Sequence, residues 1–249
     1  MIQSRLTNVS TLTFDLFGTV LDLAGSLTPH IDRFLSNKNT AIDGISFWAQ
    51  WRNRQRLEQY QDTILGMGHS GYLTVCKYAF LYTLRANKIE FTYPEIEKFM
   101  EVWQELNPFD DAVAGLNRLK EKYSLVGLSN GEPWYLEHLA NDRIKFEFNN
   151  IISVEAAGYF KPHPGVYRKA AQILGTEPSE LMMVASHSFD IMGARACGYR
   201  AAYVDRYDLP VEETPHQPNV IVNDFNQLAD YLLQGVMPTD ASELMRKEE

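Results

Sequence analysis

The stretch TLTFDLFGT, from Thr11 to Thr19, decides how the rest of the chain is interpreted. Its first four residues form a short run that is typical of a buried strand, and Asp15 follows that run directly. A carboxylate in this place packs poorly, so it either caps the turn after the strand or belongs to a reactive site. Gly18 allows a sharp turn, whose amide groups could hold the carboxylate together with the Thr19 hydroxyl.

Four further short apolar runs predict strands: YSLVGLS, NNIISVEA, ELMMVAS and YRAAYVD. Their apolar residues alternate little with polar ones, which is typical of strands that are buried on both faces of a parallel sheet. Amphipathic segments between them predict helices. Strands that alternate with helices indicate a doubly wound, Rossmann-like α/β sheet.

The region from about Gly25 to Asn107 shows three helical periods and no convincing strand. It follows the first strand, so we expect an inserted helical cap over the carboxyl ends of the strands, where open α/β sheets bind ligands. The predicted domains are a discontinuous core, residues 1–22 and 108–233, a cap, residues 23–107, and a solvated tail, residues 234–249.

Composition excludes several classes of function. The chain has 249 residues and a net charge of −9, and it has no Lys/Arg run, which argues against binding to nucleic acid. Its two cysteines, Cys76 and Cys197, cannot form a disulfide framework. We find no apolar secretory signal and no apolar segment near the ~20 residues that span a bilayer. We therefore expect a cytoplasmic protein that binds no membrane.

Three more motifs place polar side chains near the ends of predicted strands. In VGLSNGEP they are Ser129 and Asn130, in GYFKPHPGVY it is Lys161, and in MMVASHSFDIMGA it is Asp190. Each motif has an ordinary structural explanation when it is taken alone: a turn, a solvated charge, or a carboxylate that offsets a helix dipole. Their succession along one chain favours a shared site.

The order and spacing of the four motifs resemble the haloacid dehalogenase superfamily, in which an Asp nucleophile ends the first strand. The resemblance extends over nearly the whole chain and includes the helical cap. Most members are phosphatases with D-x-D in the first motif and an acidic pair that holds magnesium in the fourth. Here Phe17 replaces the second Asp, and Ser186 replaces the first acid of the pair. The general acid and one metal ligand are therefore missing, which implies no metal and no organic cofactor.

The sequence is similar instead to the L-2-haloacid dehalogenase branch, which displaces halide from 2-haloacids. It shares DLFGT, LSNG and FKPHPGVY, in which Lys161 and Tyr167 keep the spacing of the branch. WRNRQ puts Arg52 at the position of an arginine early in the cap, although Arg54 or Arg56 could take its place if the register shifts.

One motif departs from the pattern of this branch. The fourth motif reads S-S-N-x-W-D in these dehalogenases, whereas Ala185 replaces one Ser here and His187 replaces the Asn. The two substitutions leave the range of substrates and the activation of water open.

The resemblance implies a reaction that begins at Asp15, which attacks the halogen-bearing carbon and forms an ester. Lys161 would favour the ionised form of Asp15. The substrate carboxylate and the leaving halide need hydrogen-bond donors and positive charge. The residues expected to bind them are Leu16 and Phe17 through their amides, Ser129, Asn130, Ser186 and Arg52.

Water would then hydrolyse the ester, with Asp190 as the general base. His187 could accept that proton instead, or it could be purely structural. Tyr167 would orient Lys161 or the carboxylate pair. The aromatic residues of the cap that could line the pocket are Trp48, Trp51, Tyr60 and Tyr72.

The resemblance implies a small anionic haloacid as the binding partner. Enzymes of this branch are often homodimers, which makes a homodimer the expected assembly. Two alternatives remain open at this stage: a magnesium-dependent small-molecule phosphatase of the same superfamily, and a non-catalytic protein that keeps the fold.

Overall fold

A six-stranded parallel sheet forms the centre of the protein, with the strand order β5-β4-β1-β6-β7-β8. The structure is a computed structural model that describes residue 6 and residues 8–210 and 212–236. The tail expected over residues 234–249 lies outside the described residues from residue 237 onward. The sheet strands are β1 (Thr11–Phe14), β4 (Ser124–Ser129), β5 (Asn150–Ser153), β6 (Leu181–Ala185), β7 (Arg200–Val204) and β8 (Val220–Val222).

Strand β1 lies in the middle of this sheet and all four of its residues are buried. Its Thr11 pairs with Ser124 on one side and with Leu181 on the other, and both neighbours run parallel to it. The chain fills the β4 side of β1 first and the β6 side afterwards. A parallel sheet that changes direction in this way has a crevice at the carboxyl ends of the strands beside β1.

Nine helices accompany the strands in the described part of the chain, and four of them form the cap. The cap helices are α1 (Leu23–Leu35), α2 (Gly44–Leu65), α3 (Tyr72–Ala86) and α4 (Tyr93–Met100). The helices of the core are α5 (Ala112–Leu119), α6 (Pro133–His138), α7 (Pro164–Leu174), α8 (Ser188–Ala196) and α9 (Phe225–Ala229). A single 3₁₀ turn, Glu101–Glu105, follows α4.

Two short strands lie where the chain enters and leaves the cap. β2 (Leu21–Asp22) pairs antiparallel with β3 (Asn107–Pro108). The inserted helical cap is thus confirmed, while its boundaries at 22/23 and 107/108 stay a prediction. Among the described residues, no helix is both long and apolar enough to cross a membrane.

The structure differs from the sequence prediction in several elements, and the short pair β2 and β3 and helix α9 were not predicted. The prediction missed α1, because Pro29 lies inside it, and it missed β8, which has only three residues. The predicted third strand is also shorter than NNIISVEA suggests, because Val154–Ala157 form a 3₁₀ turn. Lys161 therefore follows that turn and does not follow a strand directly.

Candidate active site

The carboxyl ends of three adjacent strands bring the sequence motifs together. Asp15 follows β1, Ser129 ends β4, and Ser186 with His187 follows β6. The backbone N–H of Asp15 donates to the carbonyl of Val184 in β6, at 3.0 Å, which fixes the start of the turn against the neighbouring strand. The polar ends of these strands therefore face one crevice of the sheet.

Asp15 is buried, and three side chains contact its carboxylate. The Thr19 hydroxyl donates to Oδ2 at 3.0 Å, His187 Nδ1 lies 3.2 Å from the same oxygen, and Lys161 Nζ lies 3.4 Å from Oδ1. Burial alone would raise the pKa of Asp15, but the charge of Lys161 and the hydrogen bonds from His187 and Thr19 outweigh it. The pKa of Asp15 consequently lies well below its usual value, and the group is ionised at neutral pH.

Lys161 connects Asp15 to a second buried carboxylate. Its Nζ lies 2.7 Å from Asp190 Oδ2, and the Tyr167 hydroxyl donates to Asp190 Oδ1 at 2.7 Å. Burial and the nearby charge of Asp15 raise the pKa of Asp190 to about 6, although Lys161 and Tyr167 oppose the shift. Burial also holds the pKa of Tyr167 well above its usual value, so its hydroxyl remains a donor.

His187 is neutral at pH 7. Burial lowers its pKa to about 4, although the charge of Asp15 favours its protonated form. A neutral imidazole that donates from Nδ1 to Asp15 leaves Nε2 as an acceptor. His187 Nε2 is buried and has no hydrogen-bond partner in the described part of the chain.

The second motif contributes one free hydroxyl and one structural contact. Ser129 Oγ is buried without a hydrogen-bond partner among the described residues, and so is Ser186 Oγ. Asn130 Oδ1 accepts from the backbone N–H of Lys161 at 3.0 Å, which ties the motif at the end of β4 to the segment that carries Lys161. The two unpartnered hydroxyls are therefore available to a ligand.

Arg52 and the ring of Tyr72, both in the cap, contact the turn after Asp15. Arg52 donates to the carbonyl of Phe17 at 3.4 Å, and Tyr72 stacks on the Phe17 ring with 4.0 Å between centroids. The side chain of Leu16 is fully buried. The cap thus packs directly on the turn that follows Asp15.

A cavity of about 480 Å³ lies beside the carboxylate cluster and contains Arg52, Arg56, Ser186 and His187 in its walls. Of the four cap aromatics considered from sequence, only Trp48 lines it. Trp51 is fully buried against Phe80, Tyr60 packs edge-on against Phe189, and Tyr72 covers Phe17.

Two residues after β7 support the turn that follows Asp15, and the sequence analysis predicted neither. Tyr207 donates from its hydroxyl to the carbonyl of Gly18 at 2.8 Å, and Arg206 donates to the carbonyl of Thr19 at 3.3 Å. The same Nη2 of Arg206 also donates to Asp111 Oδ2 at 2.9 Å, and its Nη1 donates to Asp111 Oδ1 at 2.6 Å. The signal that could have found them is their place at the end of a parallel strand, at the same edge as Asp15.

The donor set around Asp15 consists of one ammonium, one imidazole and hydroxyl groups. Within the described ranges, no group of three or more His, Cys, Asp and Glu side chains is arranged to hold a metal ion. The cation that contacts both buried carboxylates is Lys161.

Comparison with known proteins shows which proteins this chain is similar to. The (S)-2-haloacid dehalogenase of Xanthobacter autotrophicus is 29% identical over 199 residues, which cover 80% of this chain and 76% of that protein. The (S)-2-haloacid dehalogenase H-109 of Pseudomonas putida is 26% identical over 224 residues, which cover 89% of this chain and 97% of the relative.

A solved structure of the Xanthobacter autotrophicus L-2-haloacid dehalogenase, with chloropropionic acid covalently bound, has the same fold. Its TM-score is 0.80 at 24% identity, with 90% of this chain and 98% of that chain covered. The family model for haloacid dehalogenase-like hydrolases matches residues 9–198, a range that includes Asp15, Lys161 and Asp190. The chain thus belongs to the haloacid dehalogenase-like hydrolase family.

Proposed function

We propose that this hydrolase releases halide from short 2-haloalkanoic acids through an ester on Asp15. The observation that carries the proposal is the buried, ionised Asp15, which contacts Lys161 while the position of a second acid is taken by Phe17. Two relatives of this chain are (S)-2-haloacid dehalogenases, which supports the same reaction.

In the first step, Asp15 attacks the carbon that carries the halogen from the side opposite the leaving group. An O–C bond forms, the carbon–halogen bond breaks, and the halide leaves with the bonding electron pair. Asp15 Oδ1 is the better nucleophile, because Thr19 and His187 both contact Oδ2 and only Lys161 contacts Oδ1, at 3.4 Å.

The substrate carboxylate and the halide need separate sites. Ser129 Oγ, buried and unpartnered, would bind the carboxylate together with the amides of Leu16 and Phe17. Arg52, which lines the cavity, would stabilise the departing halide with Asn130 and Ser186. A donor aimed at charge that develops in the transition state contributes about 2–4 kcal/mol.

In the second step, water attacks the ester carbonyl of Asp15 and a 2-hydroxy acid leaves. Asp190 is the general base, because a carboxyl whose pKa is about 6 is mostly ionised at pH 7 and still accepts a proton. Tyr167 and Lys161 hold it in position. His187 contacts Oδ2 of Asp15 and keeps Nε2 as an acceptor.

The alternative, a magnesium-dependent phosphatase, is disfavoured by the residues themselves. Phe17 cannot move a proton to a leaving group, and Ser186 offers a neutral hydroxyl where magnesium needs a carboxylate. The close contact of Lys161 with Asp15 and Asp190 also argues against a non-catalytic protein, since burying three charges is costly without a use for them.

The test is halide release by purified, chelator-treated protein from L-2-chloropropionate, chloroacetate and fluoroacetate. We expect release without added metal and none from the Asp15→Asn variant. Magnesium-dependent release of phosphate from p-nitrophenyl phosphate, with no halide from any acid, would overturn the proposal. The cytoplasmic location and the homodimer stay predictions, which fractionation of cells and sedimentation of the purified protein would test.

A further inference from the structure

Arg56 is a half-buried cation for which the proposed reaction has no use. It lines the cavity one helical turn after Arg52, and its guanidinium lies 6.0 Å from the centre of the Phe189 ring. Its Nε is buried without a hydrogen-bond partner, and no carboxylate of the described residues pairs with it. Arg54 differs, since it pairs with Glu58 at 2.8 Å.

The charges around the cavity favour a ligand with more than one negative group. Burial and the nearby Arg52 lower the pKa of Arg56 to about 10, which leaves it cationic at neutral pH. Glu212 lines the same cavity, but its Oε1 accepts from the Ser188 hydroxyl at 2.8 Å. Two guanidinium groups therefore face one carboxylate that is already hydrogen-bonded.

A partly buried guanidinium without a carboxylate partner is costly unless a ligand completes it. In the proposed reaction, the substrate's own carboxylate goes to Ser129 and the turn amides, and the halide goes to Arg52. We propose that Arg56 binds a second carboxylate, so that the preferred substrates are 2-halo dicarboxylic acids of the halosuccinate class. This inference rests on the proposed function.

The spacing of the two arginines suits such a substrate. Side chains four residues apart on a helix lie on the same face, with about 5–6 Å between their Cβ atoms. A substrate whose halogen points at Arg52 and whose second carboxylate points at Arg56 thus needs only a short carbon chain between the two groups. Leu23, Trp48 and Met192 supply apolar cavity walls for that chain.

The reaction balances for 2-chlorosuccinate. Asp15 forms the O–C bond at C2 and chloride leaves with the electron pair of the C–Cl bond. Water then adds to the ester carbonyl, and one of its protons passes to Asp190 and on to solvent. The bond between the acyl carbon and the ester oxygen breaks, the alkoxide takes the second proton of the water, and 2-hydroxysuccinate leaves. Asp15 is regenerated as a carboxylate.

The matched test compares 2-chlorosuccinate with 2-chlorobutyrate, in which a methyl group replaces the second carboxylate. The ratio of kcat/KM for the two acids is measured in the wild type and in Arg56→Met, Arg56→Lys and Arg54→Met. We expect the wild type to prefer the dicarboxylate, and Arg56→Met to lower the ratio by about 10- to 100-fold, the effect of a charge-assisted hydrogen bond. Arg56→Lys restores part of the ratio, and Arg54→Met leaves the ratio at its wild-type value.

Two results would overturn the inference. One is an equal loss of kcat/KM for both acids in Arg56→Met, which would place Arg56 at the carboxylate that both acids share. The other is a ratio of kcat/KM that Arg56→Met leaves unchanged. Calorimetric binding of succinate and butyrate separates this inference from the proposed function. Succinate binding that Arg56→Met weakens supports the dicarboxylate site even if no halide is released. Halide release from monocarboxylates without binding of succinate overturns the inference alone.

Discussion

Replacing Asp190 by Asn should stop the reaction halfway. Asp190 is fully buried, and both of its carboxylate oxygens have donors, from Lys161 and Tyr167 at 2.7 Å each. The amide keeps the shape but cannot take a proton from water. Since general-base catalysis contributes about 10²- to 10⁴-fold, we expect hydrolysis of the ester to slow by that factor. The displacement of halide depends on Asp15 and should continue.

The assay follows halide in rapid-quench experiments with excess 2-haloacid and follows the protein by intact mass spectrometry. We expect Asp190→Asn to release a burst of about one halide per protein and then to stall, with the substrate held as an alkyl ester on Asp15. Tyr167→Phe is the control, because it keeps the carboxylate and removes one hydrogen bond, and it should slow hydrolysis by only about tenfold. Steady release at the wild-type rate, or no burst from folded protein, would refute the reasoning.

The pH dependence of ester hydrolysis on the acid side gives a second test of the Asp190→Asn substitution. Burial raises the pKa of Asp190, and the charge of Asp15 adds to that rise, so that the pKa is about 6 in the free protein. Ester formation removes that charge, so the pKa of Asp190 falls in the intermediate. In the wild type, hydrolysis should therefore slow as the pH drops, with a midpoint below 6, and Asp190→Asn should show no such slowing.

Three further substitutions test the packing and charges of the site. Lys161→Met should lower the free energy of unfolding by about 3–5 kcal/mol, measured in urea, because it leaves Asp15 and Asp190 buried without their cation; a loss under ~1 kcal/mol contradicts this. Gly18→Ala should lower the free energy of unfolding by about 1–2 kcal/mol and reduce halide release, because Gly18 has φ +91° and a Cβ there would lie 2.9 Å from His187 Cε1. Halide release by this variant at the wild-type rate would contradict the prediction. Burial depresses the pKa of His187 to about 4, so its contribution to stability is present above pH 6.5 and is lost as the pH falls through 4. The free energies of unfolding at pH 7.5 and pH 4.5 should therefore differ less in His187→Asn than in the wild type. An equal difference in both proteins rules the effect out.

The carboxylate cluster could be predicted from the sequence because its position depends on the topology of the sheet. Parallel strands end at one edge of a sheet, so a polar residue after each buried run predicts a shared crevice. Asp15 and Asp190 follow this rule. Lys161 is an exception, because the 3₁₀ turn Val154–Ala157 separates it from the preceding strand. The motif predicted that Lys161 lies at the site, but it did not predict this turn.

Tertiary packing explains what the sequence did not predict. WRNRQR contains three arginines, and a helix turns by about 100° per residue, which places Arg52 and Arg56 on one face and Arg54 on another. The motif alone does not predict which face of the helix meets the cavity. The structure shows it, because Arg54 pairs with Glu58 while Arg52 contacts Phe17. The same limit applies to Tyr207, whose hydrogen bond to Gly18 depends on the path of the chain after β7.

The proposed reaction explains why the site has two cations in separate places, Lys161 beside the carboxylates and Arg52 in the cavity wall. Displacement moves a negative charge from Asp15 to the halide, so the charge that Lys161 balances at the start is no longer beside it afterwards. Lys161 then remains paired with Asp190, the base that the second step requires. The new anion forms in the cavity, where Arg52 supplies positive charge. If Lys161 alone served both anions, the halide would compete with Asp190 for the same ammonium and hydrolysis would lose its base.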